Sequence, residues 1–126
     1  MSGDAFPPQS RAADAATPSA PRLVLITAPD PETGLRLARE LVGARLAACA
    51  NLVPGLTSVY RFEGQVHEEP EALLIVKTTF AHVPAIEAHL AEHHPYDVPE
   101  CVALAPDHVE AKYLSWLRAE TTQEPA

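Results

Sequence analysis

Residues 57–79 read TSVYRFEGQVHEEPEALLIVKTT and contain the signals of a long β-hairpin. From Thr57 to Phe62, the residues Ser58, Tyr60 and Phe62 alternate with Thr57, Val59 and Arg61. Such alternation is typical of a β-strand with two different faces. Glu63-Gly64-Gln65 supplies a tight connection to a second strand, from Val66 to Thr79. The apolar run Ala72 to Val76 inside that strand indicates burial on both faces. The segment therefore predicts two long antiparallel strands.

A three-residue loop would fix the pairing of the two strands. It would place Phe62 opposite Val66, Arg61 opposite His67 and Asn51 opposite Lys77, because paired antiparallel residues keep a constant sum of residue numbers. The first strand extends back through residues 47–53, with a bend at residues 54–55. A β-bulge at that bend would break this register.

The flanking segments predict one strand and one helix on each side of the hairpin, followed by a closing helix. The expected elements are a strand at Leu23 to Ile26, a helix from about Pro31 to Leu46 capped by Asp30, a helix from about His82 to His94, a strand at Cys101 to Ala105 and a helix containing Tyr113 to Leu117. This order, β-α-β-β-α-β plus one helix, predicts an α+β, ferredoxin-like fold. Its antiparallel sheet would have the order 4-1-3-2, with an extra C-terminal helix.

The length of the chain limits the number of domains that it can form, and its charge restricts the binding partners that it can have. The chain has 126 residues, with 9 basic and 17 acidic side chains and a net charge of −8. We expect one domain over residues 22–120, a disordered N-terminal tail over residues 1–21 and a frayed C-terminus over residues 121–126. The acidic balance and the lack of a long apolar run disfavour nucleic-acid and membrane partners.

The N-terminal segment and the cysteines indicate a cytoplasmic location. Residues 1–21 lack the apolar stretch of a signal peptide. Cys49 and Cys101 lie in apolar segments on strands at opposite edges of the predicted sheet, too far apart for an intrachain disulfide. We therefore expect two reduced thiols.

Several segments together resemble the CutA family of divalent-cation tolerance proteins. They are residues 44–51 (ARLAACAN), 58–64 (SVYRFEG), 77–79 (KTT), 93–100 (HHPYDVPE) and 113–117 (YLSWL). The resemblance implies a homotrimer of ferredoxin-like subunits, with an architecture similar to the PII signalling proteins and a link to copper and other divalent ions. Ile26 stands where some members carry cysteine, so a thiolate ligand is missing there. A homotrimer would also cover the sheet face that two helices leave open.

Histidines of the second predicted helix form a candidate metal site. His82, His89 and His93 share one helix face, and His89 and His93 have the i, i+4 spacing that allows two imidazoles to bind one Cu(II) or Zn(II) ion. His94 and Glu100 follow the helix end and would complete the ligand set. The alternative is a solvated helix face that binds copper only adventitiously.

A second candidate site is a pocket formed by Arg61, Lys77, Tyr96 and Glu100, within one subunit or between neighbours. It would hold an anionic metabolite in a PII-like signalling scaffold. The alternative is structural: the prolines around Tyr96 stiffen the entry to the last strand, and Lys77 forms a paired charge. No catalytic motif or glycine-rich phosphate loop occurs, so we expect neither an enzyme nor an organic cofactor.

Overall fold

The structure is a computed structural model that describes residues 17–121. Its elements are β1 (Pro21–Ala28), α1 (Pro31–Gly43), β2 (Cys49–Phe62), β3 (Gln65–Thr79), a 3₁₀ turn (Phe80–His82), α2 (Val83–His93), β4 (Val102–Leu104) and α3 (Ala111–Glu120). The four strands form one antiparallel sheet in the order β2-β3-β1-β4. This confirms the predicted ferredoxin-like α+β topology and the additional C-terminal helix.

The pairing of β2 with β3 differs from the predicted register. Phe62 pairs with Gln65 rather than with Val66, and the register shifts again between Val53 and Leu56. Lys77 consequently faces Cys49 and not Asn51. The predicted bulge at the Pro54-Gly55 bend is confirmed, but the predicted three-residue loop is wrong because the connection has only two residues.

The two-residue loop depends on left-handed backbone conformations. Glu63 and Gly64 have positive φ values of 51° and 79°. Positive φ values at both positions give a two-residue turn the same twist as the antiparallel strands that it joins. Glycine adopts this conformation without steric cost, whereas a residue with a Cβ does not. Gly64 is therefore the residue that permits the short loop.

Replacing Gly64 by valine should lower the free energy of unfolding by about 1–2 kcal/mol, because a branched side chain is strained at this φ. Gly43→Ala is the matched control, since no atom apart from its chain neighbours and the backbone of its own helix lies within 4 Å of the position of the added Cβ. Chemical denaturation of both variants measures the difference. Equal stability of the two variants would show that the loop tolerates a different backbone conformation.

The main core lies between the sheet and helices α1 and α2. Asp30 begins α1 as predicted, since its Oδ1 accepts a hydrogen bond from the Thr33 backbone N–H at 2.7 Å. This hydrogen bond also holds the pKa of the Asp30 carboxyl below its ordinary value. Alternate residues of β1 and β3 join the buried faces of the helices in one cluster, which includes Val24, Ile26, Leu37, Leu41, Leu74, Val76, Ile86 and Leu90.

The opposite sheet surface, here called the open face, carries apolar side chains in the three neighbouring strands β3, β1 and β4. Leu25 lies directly between Ile75 and Val102, and Leu23 pairs with Leu104. Directly paired residues project from the same side of a sheet. Leu25 and Ile75 are only half-buried, while Val102 and Leu104 are exposed. The expectation that the helices leave one apolar face uncovered is therefore confirmed for the described residues.

Both ends of the described segment are bound to the fold. Ala20 is buried, and its carbonyl accepts a hydrogen bond from the Phe80 backbone N–H at 2.8 Å. Thr121 is also buried, and its hydroxyl donates to the Leu117 carbonyl at 2.8 Å. The remainder of the predicted tail, residues 1–16, and residues 122–126 lie outside the described residues. The folded domain thus includes a few residues that the sequence analysis assigned to its ends.

Cys49 and Cys101 are free thiols, as predicted. Cys101 packs against the main core, and burial raises the pKa of its thiol. No helix within residues 17–121 has the length and apolar character needed to cross a membrane.

Candidate functional site

The surface where α1 and α2 approach each other carries a histidine pair, here called the histidine corner. His89 Nε2 donates a hydrogen bond to Glu40 Oε1 at 2.8 Å, and the rings of His89 and His93 have centroids 4.3 Å apart. The predicted i, i+4 pair is therefore brought together on one helix face. Glu40 was not predicted as part of this surface, because it comes from a different helix.

Arg36 organises the histidine corner from α1. Its guanidinium contacts Glu40 Oε2 at 3.1 Å and donates to the His93 carbonyl at 2.9 Å. The hydrogen bond from His89, assisted by Arg36, holds the pKa of the Glu40 carboxyl below its ordinary value. Glu40 is thus an ionised acceptor that contacts the His89 imidazole.

His94 has a different environment from His89 and His93. It is buried, its Nε2 donates to the Thr27 carbonyl at 2.7 Å, and its Nδ1 accepts from the Tyr96 backbone N–H at 3.1 Å. Its ring also packs against the Tyr96 ring at 4.8 Å. Both ring nitrogens are therefore occupied, which leaves His94 no lone pair for a metal ion in this conformation.

Replacing His94 by alanine should lower the free energy of unfolding by about 1–3 kcal/mol, because it removes the partner of a Thr27 carbonyl and leaves a cavity. The same variant should retain the metal affinity of the unmodified protein. His93→Ala, which truncates an exposed ring, is the stability control. Urea denaturation together with a Cu(II) titration separates the two roles, and loss of metal binding at full stability would identify His94 as a ligand.

The four residues predicted as metal ligands do not come together, and His94 is buried against the Thr27 carbonyl. His89 and His93 lie at the histidine corner, whereas Glu100 lines a cleft on the hairpin side of the molecule. Within residues 17–121, no three His, Cys, Asp or Glu side chains are grouped closely enough to hold a metal ion. The structure therefore offers two adjacent imidazoles rather than a complete coordination sphere.

The cleft lies between the hairpin and residues 95–100, and has a volume of about 780 Å³. Tyr96 and Glu100 line it as predicted. Tyr96 donates its phenolic hydrogen to Glu71 Oε2 at 2.6 Å, and burial together with this hydrogen bond raises the pKa of the phenol. Burial, reinforced by the charge of Glu71, raises the pKa of the Glu100 carboxyl.

Arg61 and Lys77 do not line this cleft. Tyr60 and Phe62 line it instead of Arg61, which lies between them in β2. Lys77 borders a separate cavity near Tyr113 and donates to Asn51 Oδ1 at 2.6 Å. Within residues 17–121, the predicted basic groups are therefore absent from the pocket that contains Tyr96 and Glu100.

The fold, with its long hairpin, open face and C-terminal helix, defines a ferredoxin-like α+β domain. Comparison with known proteins specifies the family. Residues 22–120 match the family of the CutA1 divalent ion tolerance protein, and the chain belongs to that family.

Named relatives agree with this assignment. The chain is 50% identical over 99 residues to the divalent-cation tolerance protein CutA of Thermus thermophilus, covering 79% of this chain and 96% of the relative. It is 46% identical over 97 residues to the Escherichia coli protein of the same name, covering 77% and 87% respectively.

Solved structures show the same architecture. The divalent cation tolerance protein CutA1 of Thermus thermophilus superimposes with a TM-score of 0.79 at 48% identity, covering 81% of this chain and 99% of that one. CutA1 of Oryza sativa gives a TM-score of 0.79 at 41% identity, covering 86% and 100%. The periplasmic divalent cation tolerance protein CutA of Archaeoglobus fulgidus gives a TM-score of 0.78 at 27% identity, covering 81% and 99%.

Proposed function

We propose that this protein contributes to divalent-cation tolerance as a homotrimer that binds copper or a similar divalent ion at the histidine corner. Membership of the CutA1 family supports the role in cation tolerance. The observation that carries the site assignment is the adjacent His89 and His93 pair. The activity is coordination without chemical turnover.

The chemistry of the histidine corner suits a borderline divalent ion. Imidazole nitrogen is a preferred ligand of Cu(II) and Zn(II), and two histidines at i, i+4 on a helix can bind one ion. Glu40 can supply an oxygen if it exchanges its hydrogen bond with His89 for the metal. Because two imidazoles form only part of a coordination sphere, we expect micromolar affinity with water in the remaining positions.

The trimer proposal is supported by the open face and by the resemblance to the CutA family. A row of leucine, isoleucine and valine side chains crosses β3, β1 and β4, and its members Val102 and Leu104 are exposed within residues 17–121. Apolar surface of this kind is stabilised when another protein surface removes it from water. Further copies of the same chain supply such a surface in a closed symmetric assembly.

Calorimetric titration of chelator-stripped protein with Cu(II) tests the site. We expect saturable binding of about one ion per subunit, and a loss of affinity of at least about tenfold in the His89→Ala/His93→Ala variant, since each metal–imidazole bond is removed. His67→Ala is the matched control, because it removes a histidine from the hairpin, away from α2. Unchanged affinity of the double variant would disprove the site assignment.

A further inference from the structure

The ring of His89 is fixed by a carboxylate from a different helix. Nε2 of His89, in α2, lies 2.8 Å from Oε1 of Glu40, in α1. The two side chains are 18% and 32% exposed, so water competes only partly for this contact. A short hydrogen bond to an ionised group is stronger than one between neutral groups. Glu40 therefore holds the imidazole of His89 in one orientation.

The same hydrogen bond determines which ring nitrogen of His89 carries hydrogen. A glutamate side chain is ionised at neutral pH, and an ionised carboxylate only accepts hydrogen bonds. Nε2 of His89 must therefore be the donor. In a neutral imidazole one nitrogen carries the hydrogen and the other carries the free lone pair. The lone pair that can bind an ion consequently lies on Nδ1 of His89.

Arg36 holds the carboxylate of Glu40 in place. Its Nη1 donates to both oxygens, at 3.1 Å to Oε2 and at 3.3 Å to Oε1. Its Nη2 donates at 2.9 Å to the carbonyl of His93, at the end of α2. One guanidinium thus connects the carboxylate in α1 to the last turn of the helix that carries both histidines. Glu40 and His89 are therefore positioned by contacts within the chain itself.

His93 lacks a comparable hydrogen-bond partner for its ring nitrogens within residues 17–121. Its Nε2 lies 3.9 Å from Oε2 of Glu92, which exceeds hydrogen-bond distance, and its side chain is 46% exposed. The centroid of its ring is 4.3 Å from that of His89. His93 can therefore turn toward an ion that lies beside His89. The geometry thus gives His89 a fixed ring and His93 an adaptable one.

We propose that Glu40 is a positioning residue of the metal site, which keeps Nε2 of His89 protonated so that Nδ1 binds the ion. This inference rests on the metal binding proposed for the histidine corner, and it assigns Glu40 a role other than that of a direct ligand. Metal-bound histidines generally donate their second ring N–H to a carboxylate or a carbonyl, which fixes the tautomer and makes the metal-binding nitrogen more basic. A metal–oxygen bond from Glu40 would instead require the loss of its hydrogen bond with His89.

Nitrogen-15 NMR of the imidazole rings tests this tautomer in the metal-free protein. Long-range proton–nitrogen spectra distinguish protonated from unprotonated ring nitrogens, and the His89→Ala variant assigns the signals. At about pH 8, where an ordinary imidazole is neutral, we expect His89 to carry its hydrogen on Nε2. In Glu40→Ala the ring should instead populate both tautomers. The full-length protein is used throughout, after treatment with a chelator.

Metal titrations test the consequence for binding. Zn(II) is diamagnetic, so the same spectra should show a shift of Nδ1 of His89 on binding, with Nε2 still protonated. Glu40→Ala should weaken Cu(II) binding by about tenfold or more, since loss of such a partner typically lowers affinity by about 10- to 100-fold. Glu40→Gln should lose less, because its amide oxygen can accept the same hydrogen bond. Glu92→Ala, an equal charge change on an exposed side chain of α2, is the control and should change the affinity by less than about threefold.

Three results would overturn the proposal: a hydrogen on Nδ1 of His89 in the metal-free protein, a Zn(II)-induced shift of Nε2 instead of Nδ1, or an equal loss of affinity in Glu40→Ala and Glu40→Gln. An equal loss would identify Glu40 as a direct ligand. A tautomer that depends on Glu40, in a protein that binds neither Cu(II) nor Zn(II), would overturn the metal site itself and with it the role of Glu40 toward an ion. Failure of the positioning role is therefore distinguishable from failure of the proposed function.

Discussion

Leu25→Glu should convert the proposed trimer into a monomer. Leu25 is central to the open face, where it lies between Ile75 and Val102 in the neighbouring strands. A carboxylate at this position would be transferred from water into an apolar interface in every subunit, at a cost of several kcal/mol per charge. The helix-side core does not include Leu25, so the monomer should remain folded.

Light scattering coupled to size exclusion measures this change. The unmodified protein should have a mass of about 40 kDa, three times the subunit mass of 13.5 kDa, as a closed trimer requires. Leu25→Glu should elute as a single subunit with an unchanged circular dichroism spectrum. Val42→Glu places the same charge on an exposed residue of α1 and should leave the trimer intact. If Leu25→Glu retains the mass of the unmodified protein, the open face is not the interface.

Leu41→Ala should lower the free energy of unfolding by about 2–5 kcal/mol. Leu41 is fully buried in the cluster between α1 and the sheet. Its truncation removes apolar contacts and leaves a cavity that the neighbouring strands can only partly close. This cost is a substantial share of the stability of an ordinary domain.

Leu35→Ala, in the same helix, is the control for Leu41→Ala. Leu35 is 38% exposed, so its truncation should cost less than about 1 kcal/mol. Denaturant unfolding should be measured at one protein concentration, because association contributes to the apparent stability. A similar loss in both variants would show that the cluster around Leu41 is less tightly packed than the structure indicates.

The topology was predictable because it depends on hydrophobic patterns of whole segments. The alternation before Phe62 and the apolar run from Ala72 to Val76 identify strands wherever their exact ends lie. The register of the pairing between β2 and β3 was less predictable, because it depends on the backbone conformation of Glu63. Glu63 adopts a positive φ that is uncommon for its residue type, so the two-residue loop had no strong sequence signal.

The candidate sites were predictable only where their residues are close in sequence. His89 and His93 come together because helix geometry fixes their spacing. His94 also follows them directly, but the chain ends its helix there, and the Thr27 carbonyl, 67 residues away in sequence, accepts its ring hydrogen. Glu40 was missed because the sequence does not specify how α1 is positioned along α2.

The acidic character of the cleft was also beyond sequence analysis. Glu71 comes from β3 and Glu100 from the segment before β4, and only the folded chain shows that no basic residue of the described subunit lies with them. Arg61 and Lys77 were predicted as basic partners of Tyr96 and Glu100, from the same chain or from a neighbour. The pairing of β2 with β3 differs from the predicted register by one residue at Arg61 and by two residues at Lys77, and neither side chain lines the cleft within the described residues.

Electron paramagnetic resonance of the protein loaded with one equivalent of Cu(II) tests the metal proposal most directly. We expect hyperfine splitting from two imidazole nitrogens, reduced to one nitrogen by either His89→Ala or His93→Ala and unchanged by His94→Ala. A spectrum of hydrated Cu(II), or of a site with only oxygen ligands, would contradict it.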